Sequence, residues 1–134
     1  EPGLGIGPVT ARVGFERLSG DGATALQTPL ATLHAFNGWT DRFLSTPANG
    51  LRDLYADVQW RLGPVLTSAP ATLRLQAHDF NATRTSADYG REFGAWLIVP
   101  VSRQISASVK MSHYDADAFA TDTTKFWFSV EARF

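Results

Sequence analysis

Arg12, Arg61, Arg74, Lys110, Lys125 and Arg133, together with Glu16, Asp53, Asp57, Glu92 and Glu131, stand at alternate positions in stretches whose other residues are largely apolar. Alternate residues of an extended chain point to opposite faces, so these charges share one polar face of any sheet the stretches build. Six positive against five negative groups is close to balance. Arginine forks suit carboxylate-bearing ligands, and a polar face that lines a pore sets selectivity through its charges. Tyr55, Trp96 and Trp127 fall in the same rows and offer flat faces to sugar rings; packing beneath a loop is the plainer role for such rings. Opposite charges on neighbouring strands also suit cross-strand pairs that hold a wall together, and that reading carries more weight than a basic constriction for anions.

Bond-making chemistry has little to build on. His34, His78 and His113 are scattered, there is no Cys, and no Gly-x-Ser-x-Gly elbow, His-Glu-x-x-His helix or phosphate-cradling loop occurs. His78 beside Asp79 with one of the serines imitates a triad, yet neighbours in a strand face opposite ways. Asp115, Asp117 and Asp122 supply oxygen atoms of the kind Ca²⁺ takes, but their spacing fits no EF-hand and solvated loop carboxylates explain them more simply. The expectation is a protein that is not an enzyme and holds no cofactor or metal. With 12 basic and 13 acidic residues the net charge is −1, which gives no surface for a nucleic-acid partner. Without cysteine there is no disulfide framework, which fits an exported protein that needs none.

The elements that carry these residues have a period of two. Residues 124–134 place Phe126, Phe128, Val130, Ala132 and Phe134 on one side and Lys125, Trp127, Ser129, Glu131 and Arg133 on the other. Five further pieces behave alike, over residues 5–18, 51–62, 71–80, 88–99 and 104–114, each ended by Gly, Pro, Asp, Asn or Ser clusters. In the clearest, Leu54, Ala56, Val58, Trp60 and Leu62 face away from Asp53, Tyr55, Asp57, Gln59 and Arg61. No run of 18 apolar residues exists and the mean hydropathy is −0.12, because apolar and polar residues interleave. A spanning helix is excluded. A tilted strand of about 9–11 residues crosses the hydrocarbon layer, and soluble strands average only about 5–6 residues.

The pattern therefore predicts an all-β, antiparallel up-and-down meander of about six long strands, part of a transmembrane barrel in the bacterial outer membrane, with lipid outside and water within. With residue 134 at the periplasmic end, residues 116–123, 81–87 and 19–50 fall outside and residues 100–103 and 63–70 at the periplasm, so the longest link is external as such barrels require. Trp60 and Phe134 at one level, and Phe15 and Phe93 at the other, would make two interfacial aromatic girdles. By depth, Arg61, Arg74 and Arg133 gather at the periplasmic rim and Glu16, Asp53 and Glu92 near the external mouth; outward Arg52, Arg91 and His113 would meet lipid phosphates or plain solvent. Residues 30–39 read as an aromatic external loop, a loop folded into the lumen, or a strand. The competing architecture is a water-soluble sandwich or small barrel that binds a ligand. It differs in one respect: Val58, Leu75, Leu97, Val109 and Phe128 face outward in the first case and pack inward in the second. The opening Glu1-Pro2-Gly3 carries neither initiator Met nor signal peptide, and six strands fall short of the eight in the smallest bacterial barrels, so further strands of a parent barrel are expected to close it.

Several short motifs keep a common order: Gly20-Asp21-Gly22, Phe36-Asn37-Gly38-Trp39, Asp41-Arg42-Phe43-Leu44-Ser45-Thr46-Pro47-Ala48-Asn49-Gly50-Leu51-Arg52-Asp53-Leu54-Tyr55, Ala77-His78-Asp79-Phe80, Tyr114-Asp115-Ala116-Asp117 and Thr121-Asp122-Thr123-Thr124-Lys125-Phe126-Trp127. In these the chain resembles the carboxyl-terminal portion of the alginate-export family of outer-membrane porins. The resemblance implies a piece of a larger barrel and passive passage of a polar or anionic saccharide, an alginate-like polysaccharide, across the outer membrane.

Overall fold

The structure, a computed structural model, describes residues 2–28 and 37–133. Seven antiparallel strands form one sheet in chain order: β1 (Gly3–Ile6), β2 (Val9–Leu18), β3 (Leu51–Pro64), β4 (Pro70–Asn81), β5 (Asp88–Pro100), β6 (Ile105–Ala116) and β7 (Thr123–Ala132). Six are long and one is short. The stretch 5–18 is not a single strand, because Gly7 adopts φ 57° and Pro8 follows it. A left-handed residue before a proline suits a tight reversal and not a continuing ladder, so the chain folds back as a hairpin with Ile6 opposite Val9.

Register carries the two-sided pattern across the sheet. Val9, Ala11, Val13 and Phe15 lie opposite Trp60, Val58, Ala56 and Leu54; Val58 lies opposite Leu75, Leu75 opposite Ala95, and Val109 joins Leu97 to Phe128. A slip of one residue would throw every apolar side chain to the polar side. The links 19–50, 82–87 and 117–122 stand at one end, and residues 7–8, 65–69 and 101–104 make the shorter turns at the other. We call these the loop end and the turn end. The sheet is open: among the described residues β1 and β7 pair with β2 and β6 alone.

Burial runs against the usual order of a water-soluble sheet. Phe128 is 78% exposed and Val130 74%, while on the opposite face Asp53 is 0% and Glu92 2% exposed. Leu75, Leu97, Val109, Phe126, Phe93, Phe15 and Trp60 are exposed as well, with Val58 half-buried. The apolar core instead sits at the loop end of the polar side, where Leu18, Leu51, Phe80, Ala82, Tyr89 and Tyr114 surround Phe43. Phe43 lies 4.3 Å from the Phe80 ring centroid, 5.2 Å from Phe119 and 5.8 Å from Tyr114. The buried Tyr114 hydroxyl donates to the carbonyl oxygens of Tyr89 and Phe119, which removes the cost of burying a polar tip. Residues 29–36 and 134 lie outside the described residues, and with them most of the stretch 30–39, His34, and the Phe134 member of the girdle.

Candidate functional site

Residues 37–50 leave the loop end and lie across the polar face, and the side chains they meet define the site. Asn37 Nδ2 donates to Glu16 Oε2 on β2 at 2.6 Å. Trp39 N–H donates to Glu92 Oε1 on β5 at 2.5 Å, Thr40 N–H to both Glu92 oxygens at 3.2 Å, and Thr40 Oγ1 to Oε2 at 2.5 Å. Ser112 on β6 adds a hydroxyl donor to Oε1 at 2.6 Å. Lys125 Nζ on β7 reaches Asp41 Oδ2 at 2.7 Å. One segment thus ties β2, β5 and β7 together: through Glu16 on the first, through the buried Glu92 carboxylate, which accepts from four donor groups, on the second, and through Lys125 on the third.

Local sequence makes this seat possible. Gly38 has φ 84°, and a Cβ there would come within 2.5 Å of Glu92 Oε2; only glycine admits both the backbone turn and the approach. Gly94 leaves a gap in the polar row of β5, and a Cβ there would fall 2.5 Å from the Trp39 ring. Asp41 holds φ 61°, a conformation that Asp tolerates better than most residues.

Around Trp39 the polar face becomes aromatic and cationic. Lys110 Nζ lies 5.1, 5.5 and 4.5 Å from the ring centroids of Trp39, Trp96 and Trp127, and Arg74 Cζ is 5.6 Å from Trp39, within the range of cation–π attraction. Arg74 also donates through Nε to Asp57 Oδ2 at 2.5 Å. Asp57 faces Arg12 directly across β2 and β3, yet its carboxylate takes the diagonal partner on β4. Trp96 and Trp127 are half-buried beside Lys110.

No protein-family model, no curated protein and no solved structure matches the chain.

Of the charges on the polar face, Glu16, Asp53 and Glu92 do come together at the loop end, beneath residues 37–50. The basic group is dispersed: Arg61 on β3 and Arg74 on β4 are diagonal neighbours, whereas exposed Arg133 follows β7 and donates to Glu131 at 2.8 Å. Arg12 is exposed on β2. Tyr55 stacks on His78 with centroids 5.5 Å apart. His78 turns away from its chain neighbour Asp79 and meets Asp53 instead, with Nδ1 3.0 Å from both carboxylate oxygens. Its ring also stacks on Phe80 at 5.3 Å. The imidazole is thus enclosed by Asp53, Tyr55 and Phe80, with its Nε2 buried and without a hydrogen-bond partner among the described residues. His113 points outward and meets Thr124 Oγ1 at 2.7 Å, and Arg91 Nε donates to Asp79 at 3.1 Å on the same face. Arg52 is exposed. Asp122 accepts from the Ala116 N–H at 2.9 Å, and among the described residues no group of three His, Asp or Glu is placed to hold a metal.

Sequence reasoning did not single out Trp39, Asn37, Thr40, Asp41 or Ser112 as members of one site. Gly94, the gap between the large residues Glu92 and Trp96 in the polar row of β5, is the signal that something lies against β5 there.

Proposed function

We propose that the chain is part of the wall of an outer-membrane β-barrel channel, with its apolar face toward lipid and its polar face toward a water-filled passage for polar or anionic solutes. The observation that carries the reading is the inverted burial of one sheet: Phe126, Phe128 and Val130 exposed, with Asp53, Asp57 and Glu92 covered. In water an exposed apolar row of this extent is costly. In a bilayer it is the favourable arrangement, and strands of 10–14 residues match the hydrocarbon thickness. A water-soluble ligand-binding sandwich would need a second layer over that row, and no described element lies there.

Lipid also requires every strand edge to be paired, since an unpaired backbone group there costs several kcal/mol. β1 and β7 run in the same direction, so pairing them to each other would be parallel. An all-antiparallel barrel has an even number of strands, and the reading therefore calls for an odd number of further strands from the parent barrel. The motifs around Asp41–Tyr55 and Thr121–Trp127 favour the alginate-export porins as the family and a uronate-bearing polysaccharide as cargo; the chemistry of the arginines, Lys110 and the indoles of Trp96 and Trp127 suits such a ligand.

Three measurements on the intact parent barrel test this. In variants that keep a single tryptophan, Trp60 is expected to be quenched by bromine-labelled acyl chains, and Trp39, Trp96 and Trp127 are not; equal quenching of all four refutes the lipid-facing assignment. In planar bilayers, single-channel currents are expected to be blocked by anionic oligosaccharides at lower concentration than by neutral ones of equal length. Arg61→Glu and Arg74→Glu should move the reversal potential toward cation selectivity with the barrel still assembled. Unchanged potentials in both variants would remove these residues from the pore.

A further inference from the structure

We propose that residues 37–50 are a fixed crossbar over the polar face, that the Glu92 carboxylate is the positioning residue that holds it, and that this segment rather than the strand wall sets the size of solute admitted. The inference rests on the channel reading and adds to it the element that limits passage.

Three features distinguish a crossbar from an external loop resting on its rim. Its anchors are spread across the sheet: Asn37 on Glu16 of β2, Trp39 and Thr40 on Glu92 of β5, and Asp41 on Lys125 of β7. Its contacts are buried: Trp39 is 3% and Thr40 0% exposed, and Phe43 is enclosed among Phe80, Tyr89, Tyr114 and Phe119. The strands are also shaped to receive it, since Gly94 supplies the space filled by the Trp39 ring. Four donor groups converge on one carboxylate, two of them the main-chain N–H groups of Trp39 and Thr40. A segment held by its own backbone is fixed in position whatever its side chains do. Because it lies over the side on which Arg74, Lys110 and Trp96 stand, a solute moving along that side must pass its edge.

The test uses the intact parent barrel in planar bilayers, with conductance and exclusion of neutral polyethylene glycols of graded size as readouts and amide exchange at residues 39 and 40 as the structural check. In Glu92→Gln, which keeps the shape and loses the charge, exchange of the Trp39 and Thr40 amides should quicken by about tenfold or more. Conductance should rise, and larger polymers should enter. A second variant, with residues 38–46 replaced by a short Gly/Ser linker, should raise conductance roughly twofold or more. If the unaltered parent barrel conducts and the linker variant has the same conductance and polymer cut-off, the crossbar is overturned and the channel stands. If the linker variant widens the pore while Glu92→Gln leaves both amides protected, Glu92 is overturned as the positioning residue. If the unaltered parent barrel forms no conducting pore, the channel reading itself fails and the crossbar's role in sieving goes with it.

Discussion

The loop end and the turn end of this sheet are built from the same alternating strands and have opposite surroundings. At the loop end Leu51, Asp53, Phe80, Glu92, Ser112 and Tyr114 are buried on the polar side. At the turn end of the same side Gln59, Ile98 and Ser108 are half-buried and Arg61, Ser129 and Glu131 are exposed. The strands do not differ enough to explain this. What differs is the cover: residues 37–50 reach the first set and stop short of the second. Alternation therefore determines which face a residue takes, and a distant segment determines whether that face is wet.

The contrast is broken most sharply at Phe43. Phe43→Ala empties the centre of the aromatic cluster and is expected to cost about 3–5 kcal/mol, read as a lower denaturant midpoint for the chain in detergent micelles. Arg61→Ala, at the exposed turn end, should stay within about 0.5 kcal/mol. Equal losses would mean that stability is spread evenly over the sheet and that the cover contributes nothing special. A finer comparison uses two glycines. Gly94→Val drives a side chain into the Trp39 ring and should cost about 1–3 kcal/mol through overpacking, with the Trp39 emission shifting to the red as the ring is displaced toward water. Gly63→Val meets nothing within 4 Å of the added Cβ and should be close to neutral. If Gly94→Val leaves Trp39 emission unchanged, the ring does not rely on that gap.

Much of the sheet was legible because it depends on a local rule. Val58, Leu75, Leu97, Val109 and Phe128 fall on one face by counting alone, and the hydrogen-bonded register keeps them there. The break at Gly7 and Pro8 is legible in principle, since the apolar residues switch there from even positions, Leu4 and Ile6, to odd ones, Val9, Ala11, Val13 and Phe15, and a single piece over residues 5–18 overlooks that switch. The site was much less legible. Thr40 and Glu92 are 52 residues apart, Asp41 and Lys125 84, and the sequence leaves residues 30–39 open between an external loop, a loop folded into the lumen and a strand until such partners are known. The pairing of His78 with Asp53 has the same origin. These residues are 25 apart and sit diagonally across β3 and β4, so the contact follows from register and not from either local sequence.

The smallest expected effect separates the two kinds of hold within the long link itself. Residues 37–50 are held by partners far along the chain, whereas the turn at residues 21–24 is held from within. There the Asp21 carboxylate accepts the Ala23 N–H at 2.8 Å, the Thr24 N–H at 2.7 Å and the Thr24 hydroxyl at 3.1 Å. These donors, led by the Thr24 N–H, favour the charged form and lower the carboxyl pKa from its ordinary 3.8. A lowered folded value means that the carboxylate's contribution is complete above the ordinary range and is lost as pH falls through the lowered value. Amide exchange at Ala23 and Thr24 should therefore accelerate, relative to its intrinsic pH dependence, only on strong acidification. Asp21→Asn keeps an acceptor that does not titrate in this range, and should abolish that step; Asp21→Ala should leave both amides quick at every pH. The main-chain bond from Gly22 N–H to Ala48 O, 2.9 Å long, joins this turn to the covering segment. Protection at Trp39 and Thr40 that is unchanged in Asp21→Ala would show that the cover depends on its distant anchors, and joint loss would make the turn part of the same hold.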